Sequence, residues 1–304
     1  MATKVWIGGT ASHLTDPSQA ANWSPSGVPA DGDSIIFPAV AAYNVDGYDY
    51  TAGSTIHITG LTVENGCTIA IGSLTTPAHF DLKRSGSYYT ANLAGSGQSF
   101  IQIDNYDTIN IMVAASAGVG AYGLVLTGVN DSSTLDKINI SAASNQSISI
   151  GTSIGGVCKV NSLTVAGGNV TVQSAVVKYD GAAAPNLTIS GGSVTTNCPL
   201  GTVNKYGGTL TTQAGAIASF TASGGNTYHE SIGTMTAGTI GGSEIFDCSG
   251  DLRAKTITSF TVQGSSATYK DPNKVITNTN PIQLTGGATP MQLNLGTNCG
   301  IARS

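Results

Sequence analysis

The chain has 304 residues, of which 40 are glycine, 10% are charged and 6% are aromatic. Soluble domains average about 25% charged residues, and with only Glu64, Glu230 and Glu244 as glutamates the composition argues against a helix-rich fold. The net charge of −5 comes from 17 acidic and 12 basic residues scattered singly, and no Lys/Arg run marks a nucleic-acid partner.

Residues 1–53 stand apart: they hold both tryptophans, Trp6 and Trp23, and the run Asn22-Trp-Ser-Pro-Ser-Gly-Val-Pro-Ala-Asp-Gly-Asp-Ser-Ile-Ile-Phe37. No apolar stretch of signal-peptide length precedes Trp6, so the chain is expected to be made without Sec export. From Ser54 onward short segments alternate apolar with polar residues after turn signals, the mark of a half-buried strand. Such segments are Ser54–Val63, Asp107–Val113, Leu135–Ser141 and Val160–Val165. Between them, Leu74–Gln98 reads as an insertion, an ordinary solvated loop or, through its Lys83, Arg84, Tyr88 and Tyr89, a contact surface. The charge-free stretch Ile109–Val129 contains Gly118-Val-Gly-Ala-Tyr-Gly123, which mimics a dinucleotide motif. Its glycines suit neither a membrane helix nor a nucleotide loop, because a short strand, Leu124-Val-Leu-Thr, stands where a helix is required.

The second half repeats. Gly167-Gly-Asn-Val-Thr, Gly191-Gly-Ser-Val-Thr, Gly207-Gly-Thr-Leu-Thr, Gly224-Gly-Asn-Thr-Tyr and Gly241-Gly-Ser-Glu-Ile start 24, 16, 17 and 17 residues apart. Aligned on the first glycine, Leu163, Leu187, Val203, Phe220 and Ala237 form an apolar column, whereas Val170, Val194, Leu210, Thr227 and Glu244 form one that decays. Gln173, Asn197, Gln213, Glu230 and Asp247 form a polar column beside a small one of Ser174, Cys198, Ala214, Ser231 and Cys248. Neighbouring columns of opposite character are what successive strand residues produce. A lap of about 17 residues holds two or three short strands and their turns, with laps stacked about 4.8 Å apart. The fold class is therefore all-β, a parallel β-helix (β-solenoid) over residues 54–270, where Phe260–Lys270 echoes Phe220–Glu230 in blurred form.

Residues 271–304 break the repeat. The turn Asp271-Pro-Asn-Lys, Pro281, Pro290 and Gly286-Gly predict an extended C-terminal arm that covers the far end or reaches a neighbouring subunit.

Chemical signals are sparse. Glu230 and Asp247, one lap apart in the polar column, would bring two carboxyls near the roughly 5 Å separation of a retaining glycosidase. Gln213 before them and Lys270 after them argue instead for a solvated ladder, and His229 is expected on the opposite face from Glu230. The histidines His13, His57, His79 and His229 lack metal-ligand spacing, and the five cysteines lack CxxC spacing. Cys198 and Cys248 read as buried free thiols. No catalytic, cofactor-binding or metal residue is expected.

The Asn-Trp-Ser-Pro-x-Gly-x-Pro-x-x-Gly-Asp-x-Ile-x-Phe run, within roughly residues 1–40, resembles the opening segment of right-handed β-helix proteins. These occur among autotransporter-like secreted adhesins and bacteriophage virion proteins. The resemblance implies that Trp6 and Trp23 cap the open end of the solenoid, with Trp23 as a sugar-binding residue the sharper alternative. With no export signal, the virion branch is favoured: a capsid decoration or cement protein on the capsid surface, without membrane or nucleic acid. The resemblance further implies a homotrimer gripping the major capsid protein. A tail or head fibre acting as receptor-binding adhesin is the second reading, and a polysaccharide depolymerase the third.

Overall fold

The computed structural model describes residues 1–51, 55–73, 75–84, 86–112, 124–127, 137–143, 146–151, 158–174, 176–177, 184–294 and 301–303. Within them the chain winds as a parallel β-solenoid with two principal sheets. Sheet 1 is built rung by rung from Thr3–Trp6, Ser34–Phe37, Gly60–Val63, Ser87–Leu93, Tyr106–Ile111, Lys137–Ser141 and Ser162–Gly167. It continues through Asn186–Ile189, Leu200–Lys205, Ile217–Ala222, Met235–Ile240 and Lys255–Gln263, every pair parallel. Sheet 2 runs from Ala78–Asp81 and Ser99–Asp104 through Asn169–Val172, Ser193–Thr196, Thr209–Thr212 and Asn226–His229 to Thr268–Lys270. Two short strands, Cys158–Lys159 and Val176–Val177, pair on a third side.

The apolar column is real. Leu163, Leu187, Val203 and Phe220 sit over one another in adjacent rungs, and all four are buried. Strand residues alternate faces, so Leu187 and Ile189 point inward while Thr188 between them points out. Stacking like on like along the axis gives a narrow core that each lap extends by one layer.

The Gly-Gly pairs form the corner between the two sheets. At Gly192 and Gly208 the backbone is left-handed, with φ of +76° and +70°, and a Cβ on Gly208 would lie 2.5 Å from the Gly192 carbonyl oxygen. Both requirements, the positive φ and the close approach of stacked backbones, select glycine. The fifth pair departs from the others. Between Ala222 and Asn226 the corner has three residues, but between Ile240 and Ile245 it has four. Two one-residue gains displace the alignment on the glycines: five residues separate His229 from Met235 where four separate Thr212 from Ile217, so Phe220 is stacked on Gly238, not Ala237, and the longer corner adds a second, so Thr227 is stacked on Phe246, not Glu244.

Gly238 creates space for an aromatic cluster. A Cβ there would lie 2.5 Å from Cε2 of Phe260, and Phe220, Phe246, Phe260 and Tyr269 pack with ring centroids 4.9–5.6 Å apart. Such edge and offset contacts add about 0.5–1.5 kcal/mol each beyond area burial.

Residues 1–53 supply rungs of their own. Thr3–Trp6 pairs in parallel with Ser34–Phe37 and, on its other side, antiparallel with Trp23–Ser24, which places Trp6 opposite Trp23 and covers the edge. The two indoles meet edge to face at 5.1 Å, and each N–H is satisfied: Trp6 donates to the Tyr43 carbonyl at 2.9 Å and Trp23 to that of Pro17 at 2.8 Å. Buried Asn22 braces the loop above them, accepting from the Thr10 N–H and donating to the carbonyls of His13 and Asp16. Trp23 is only 1% exposed, so its ring offers no platform to a sugar.

One expectation needs correction. The expected insertion Leu74–Gln98 is largely coil: Ala78–Asp81 starts sheet 2, Ser87–Leu93 is a rung of sheet 1, and Lys83–Arg84 folds back antiparallel on Ser87–Tyr88. The C-terminal segment takes the first of its two expected forms, covering the far end of the solenoid, and does so as further rungs. Ile276–Asn278 and Ile282–Thr285 pair in parallel with Lys255–Gln263, Leu293–Asn294 with Tyr269–Lys270, and Ile301–Arg303 with Ile282–Leu284. Its breakers lie at corners: Pro281 immediately precedes a strand and Pro290 opens a short 3-10 turn. The turn at Asp271 forms as expected, because its buried carboxylate accepts the N–H groups of Val275 and Ile276 and redirects the chain onto the next rung. The motif Gly118–Gly123 lies outside the described residues, and Leu124–Thr127 is a strand. Among the described residues no helix is long and apolar enough to cross a membrane.

Candidate functional site

The two added residues, one after His229 and one in the fifth corner, dissolve the candidate acid pair. Asp247 is stacked between Tyr228 and Lys270, whose Nζ lies 3.7 Å from Asp247 Oδ2, while Glu230 falls beyond the strand and packs against Gly250. His229 does point inward, opposite to Glu230, with Nδ1 2.8 Å from the Thr212 hydroxyl. Its Nε2 finds no partner among the described residues. Burial, helped by the positive charge of Lys255, pulls the imidazole down to about 4.

Glu244, displaced from its expected column, turns into the core. Its Oε2 meets Lys205 Nζ at 2.6 Å and its Oε1 accepts from the Thr227 hydroxyl at 2.6 Å, while Lys205 also donates to the Gly224 carbonyl at 2.7 Å. Burial pushes the carboxyl up and the amine down, and their mutual attraction opposes both shifts. Every polar atom of the pair points at protein, which makes it a structural tie between three laps.

A second cluster, marked by no motif in the sequence, lies at the start of sheet 2. His79 Nε2 is 2.7 Å from Asp104 Oδ2 and its Nδ1 is 3.2 Å from Asp49 Oδ1, so an imidazolium can donate to a carboxylate on each side. Asp81 is stacked beside Asp104, accepts from the Asn105 amide at 2.9 Å and the Lys83 N–H at 3.0 Å, and lies 3.3 Å from His57. For His79, burial disfavours the charged form but is outweighed by the hydrogen bond to Asp104 and the charges of Asp104, Asp49 and Asp81, so its pKa is raised. The one signal that could have found it is His79-Phe-Asp and then Gln102-Ile-Asp at a one-lap spacing of 23 residues. These groups bind one another across three laps. Among the described residues no group of three or more His, Cys, Asp or Glu side chains is arranged to hold a metal ion.

The feature that extends furthest is the outer face of sheet 1. One outward column reads Thr62, Asn92, Asn110 and Asn139, with Asn139 donating to Asn110 at 3.0 Å and Asn110 to Asn92 at 2.9 Å. It continues as Thr164, Thr188, Asn204, Thr221, Thr239, Thr261 and Gln283. A second column beside it holds Ser162, Asn186, Thr202, Ser219, Ala237 and Ser259, with the Asn186 side chain accepting from the Thr202 N–H. Among the described residues of this sheet from Ser162 to Gln283, no charged side chain faces outward, since Lys205 and Lys255 are both buried. One rung before Ser162 the same sheet exposes Lys137, and sheet 2 has a comparable neutral stretch, Asn169 and Thr171, Ser193 and Thr195, Thr209 and Thr211, before Asp247 and Lys270 face outward.

Comparison with family models, curated proteins and solved structures finds no match for this chain.

Proposed function

We propose that this chain is a structural protein of a bacteriophage particle, a decoration or cement protein that binds the major capsid protein lattice on the capsid surface as a homotrimer. The reading rests on the resemblance of residues 22–37 to β-helix opening segments. The observation that carries it beyond that resemblance is the outer face of sheet 1, a long neutral ladder of hydroxyl and amide groups, suited to lying against another surface. The separation of Glu230 from Asp247 removes the pair on which a depolymerase would depend. In this reading the chain is not an enzyme and needs no cofactor, nucleic acid or membrane.

The test is localisation in purified particles by cryo-electron microscopy with difference density from a deletion strain. Density over the capsid lattice supports decoration. Density at a tail or head fibre tip moves the chain to the receptor-binding class, and absence from particles overturns the proposal.

A further inference from the structure

We propose that residues 45–50 are a strap across the first lap, fastened by the bridge Asp49–His79–Asp104 and loosened when the His79 imidazole loses its proton. This goes beyond the structural role above and does not depend on it.

The strap is held by less backbone than the laps that follow. Further along sheet 2, Asn169–Val172 pairs with Ser193–Thr196 over four consecutive residues. Residues 45–50 meet the next lap at two isolated bridges, Val45 on Ile71 and Asp49 on His79. At the first, the Val45 N–H donates to the Ala70 carbonyl and the Gly72 N–H to that of Val45; at the second, the Tyr50 N–H donates to the His79 carbonyl and the His79 N–H to that of Tyr48. Asp46 ties the middle back to Thr15 of the cap. With so short a ladder, side chains decide how firmly the strap lies down. Tyr50 turns inward, stacked on Phe80 at 4.6 Å and edge-on to Trp23 at 6.1 Å, so a loosened strap bares the aromatic packing that joins the cap to the coil.

On the outer side the fastening needs a proton. An imidazolium donates from both nitrogens, whereas a neutral imidazole has one N–H and one lone pair and can serve only one carboxylate. Asp104 is the closer and better shielded partner, at 2.7 Å and 13% exposed against 3.2 Å and 56% for Asp49. Deprotonation therefore keeps the bond to Asp104 and gives up the one to the strap. Among the described residues, the charged groups around His79 are Asp49 from the strap, Asp104 from the following lap and Asp81 from its own strand, with His57 3.3 Å from Asp81. Lys83 Nζ sits instead over the Tyr88 ring, 5.0 Å from its centroid. Burial opposes the imidazolium, but the hydrogen bond to Asp104 and the three carboxylates outweigh it and raise the pKa. The strap is thus fully fastened below about 6.5 and loosens as pH rises through the raised value.

Hydrogen–deuterium exchange of the full chain at pH 6 and pH 9, corrected for the intrinsic pH dependence of amide exchange, tests this. Amides of residues 45–50 should lose protection at least severalfold at pH 9, while peptides covering Leu200–Lys205 and Ile217–Ala222 keep theirs. In Asp49→Asn, a change at an exposed side chain that leaves the core intact, the strap should exchange at pH 6 as fast as the wild type does at pH 9. His79→Gln should remove the pH dependence of the strap. A strap equally protected at both pH values, a loss shared by the two reporter peptides, or either variant behaving as wild type overturns the proposal.

Discussion

Lys205 and Glu244 lie 39 residues apart in sequence, yet their side chains meet at 2.6 Å with no exposure of either. The pair crosses the corner where the fifth Gly-Gly turn is one residue longer than the others, and the extra residue lets Glu244 enter the core.

Removing one partner should be far worse than removing both. Lys205→Met leaves a buried carboxylate unpaired and should lower the unfolding free energy by about 3–5 kcal/mol. The double variant Lys205→Met, Glu244→Leu should recover most of that loss. A denaturant-unfolding cycle measures it, and a single-variant cost below about 1 kcal/mol would show that water reaches the pair.

The two inward or half-buried histidines should bound the stable pH range from opposite sides. The folded-state pKa of His79 is raised, so its contribution is complete below about 6.5 and is lost as pH rises through the folded value. His229 is depressed to about 4, so its neutral form must charge on unfolding, and stability falls as pH drops from about 6.5 toward 4, by about 3 kcal/mol in all. Melting temperature against pH should lose its alkaline slope in His79→Gln and its acid slope in His229→Phe. Unchanged profiles in both variants would contradict the assignment.

Gly238→Ala should destabilise by about 1–3 kcal/mol, because the added methyl overlaps the Phe260 ring and the packed cluster leaves it nowhere to move. The same substitution at Gly264, with nothing within 4 Å, carries only the cost of its positive φ. Equal melting temperatures for Gly238→Ala and wild type would count against the aromatic packing.

The thiols of Cys67, Cys158, Cys198 and Cys248 are all buried. Burial raises Cys198 to about 12 and Cys248 well above its ordinary value, so little thiolate forms in the native state. Iodoacetamide at pH 8 followed by peptide mapping should label these four only after denaturation. Rapid native labelling of Cys198 or Cys248 would show that the core opens.

The solenoid is legible in the sequence wherever successive laps keep the same corner length, as from Leu163 through Leu187 and Val203 to Phe220. It becomes illegible where a corner gains one residue, because a period-two pattern has no memory of an insertion and every later assignment shifts with it. Ala237 stands in for Gly238 because the turn after His229 is one residue longer than the turn after Thr212, and the Glu230–Asp247 pairing fails because the next corner adds a second residue. The prolines near the C-terminus mislead in another way: they look like strand breakers, but they stand between strands, where a proline is harmless. The His79 cluster joins laps of unequal length, so beyond the single echo of His79-Phe-Asp in Gln102-Ile-Asp its members share no common spacing, and Asp49 is revealed only by the three-dimensional stack.

Trp23–Ser24 closing over Thr3–Trp6 also bears on how the molecule comes into being. Residues 1–43 suffice for that lid and for both indole hydrogen bonds, and each later strand then finds its template one lap behind it, 16 to 31 residues away along most of sheet 1. Chain growth at the ribosome and growth of the fold thus run in the same direction, so a nascent copy need never wait for its distant end. An interruption at any lap would leave a shorter but properly wound stub rather than a tangle.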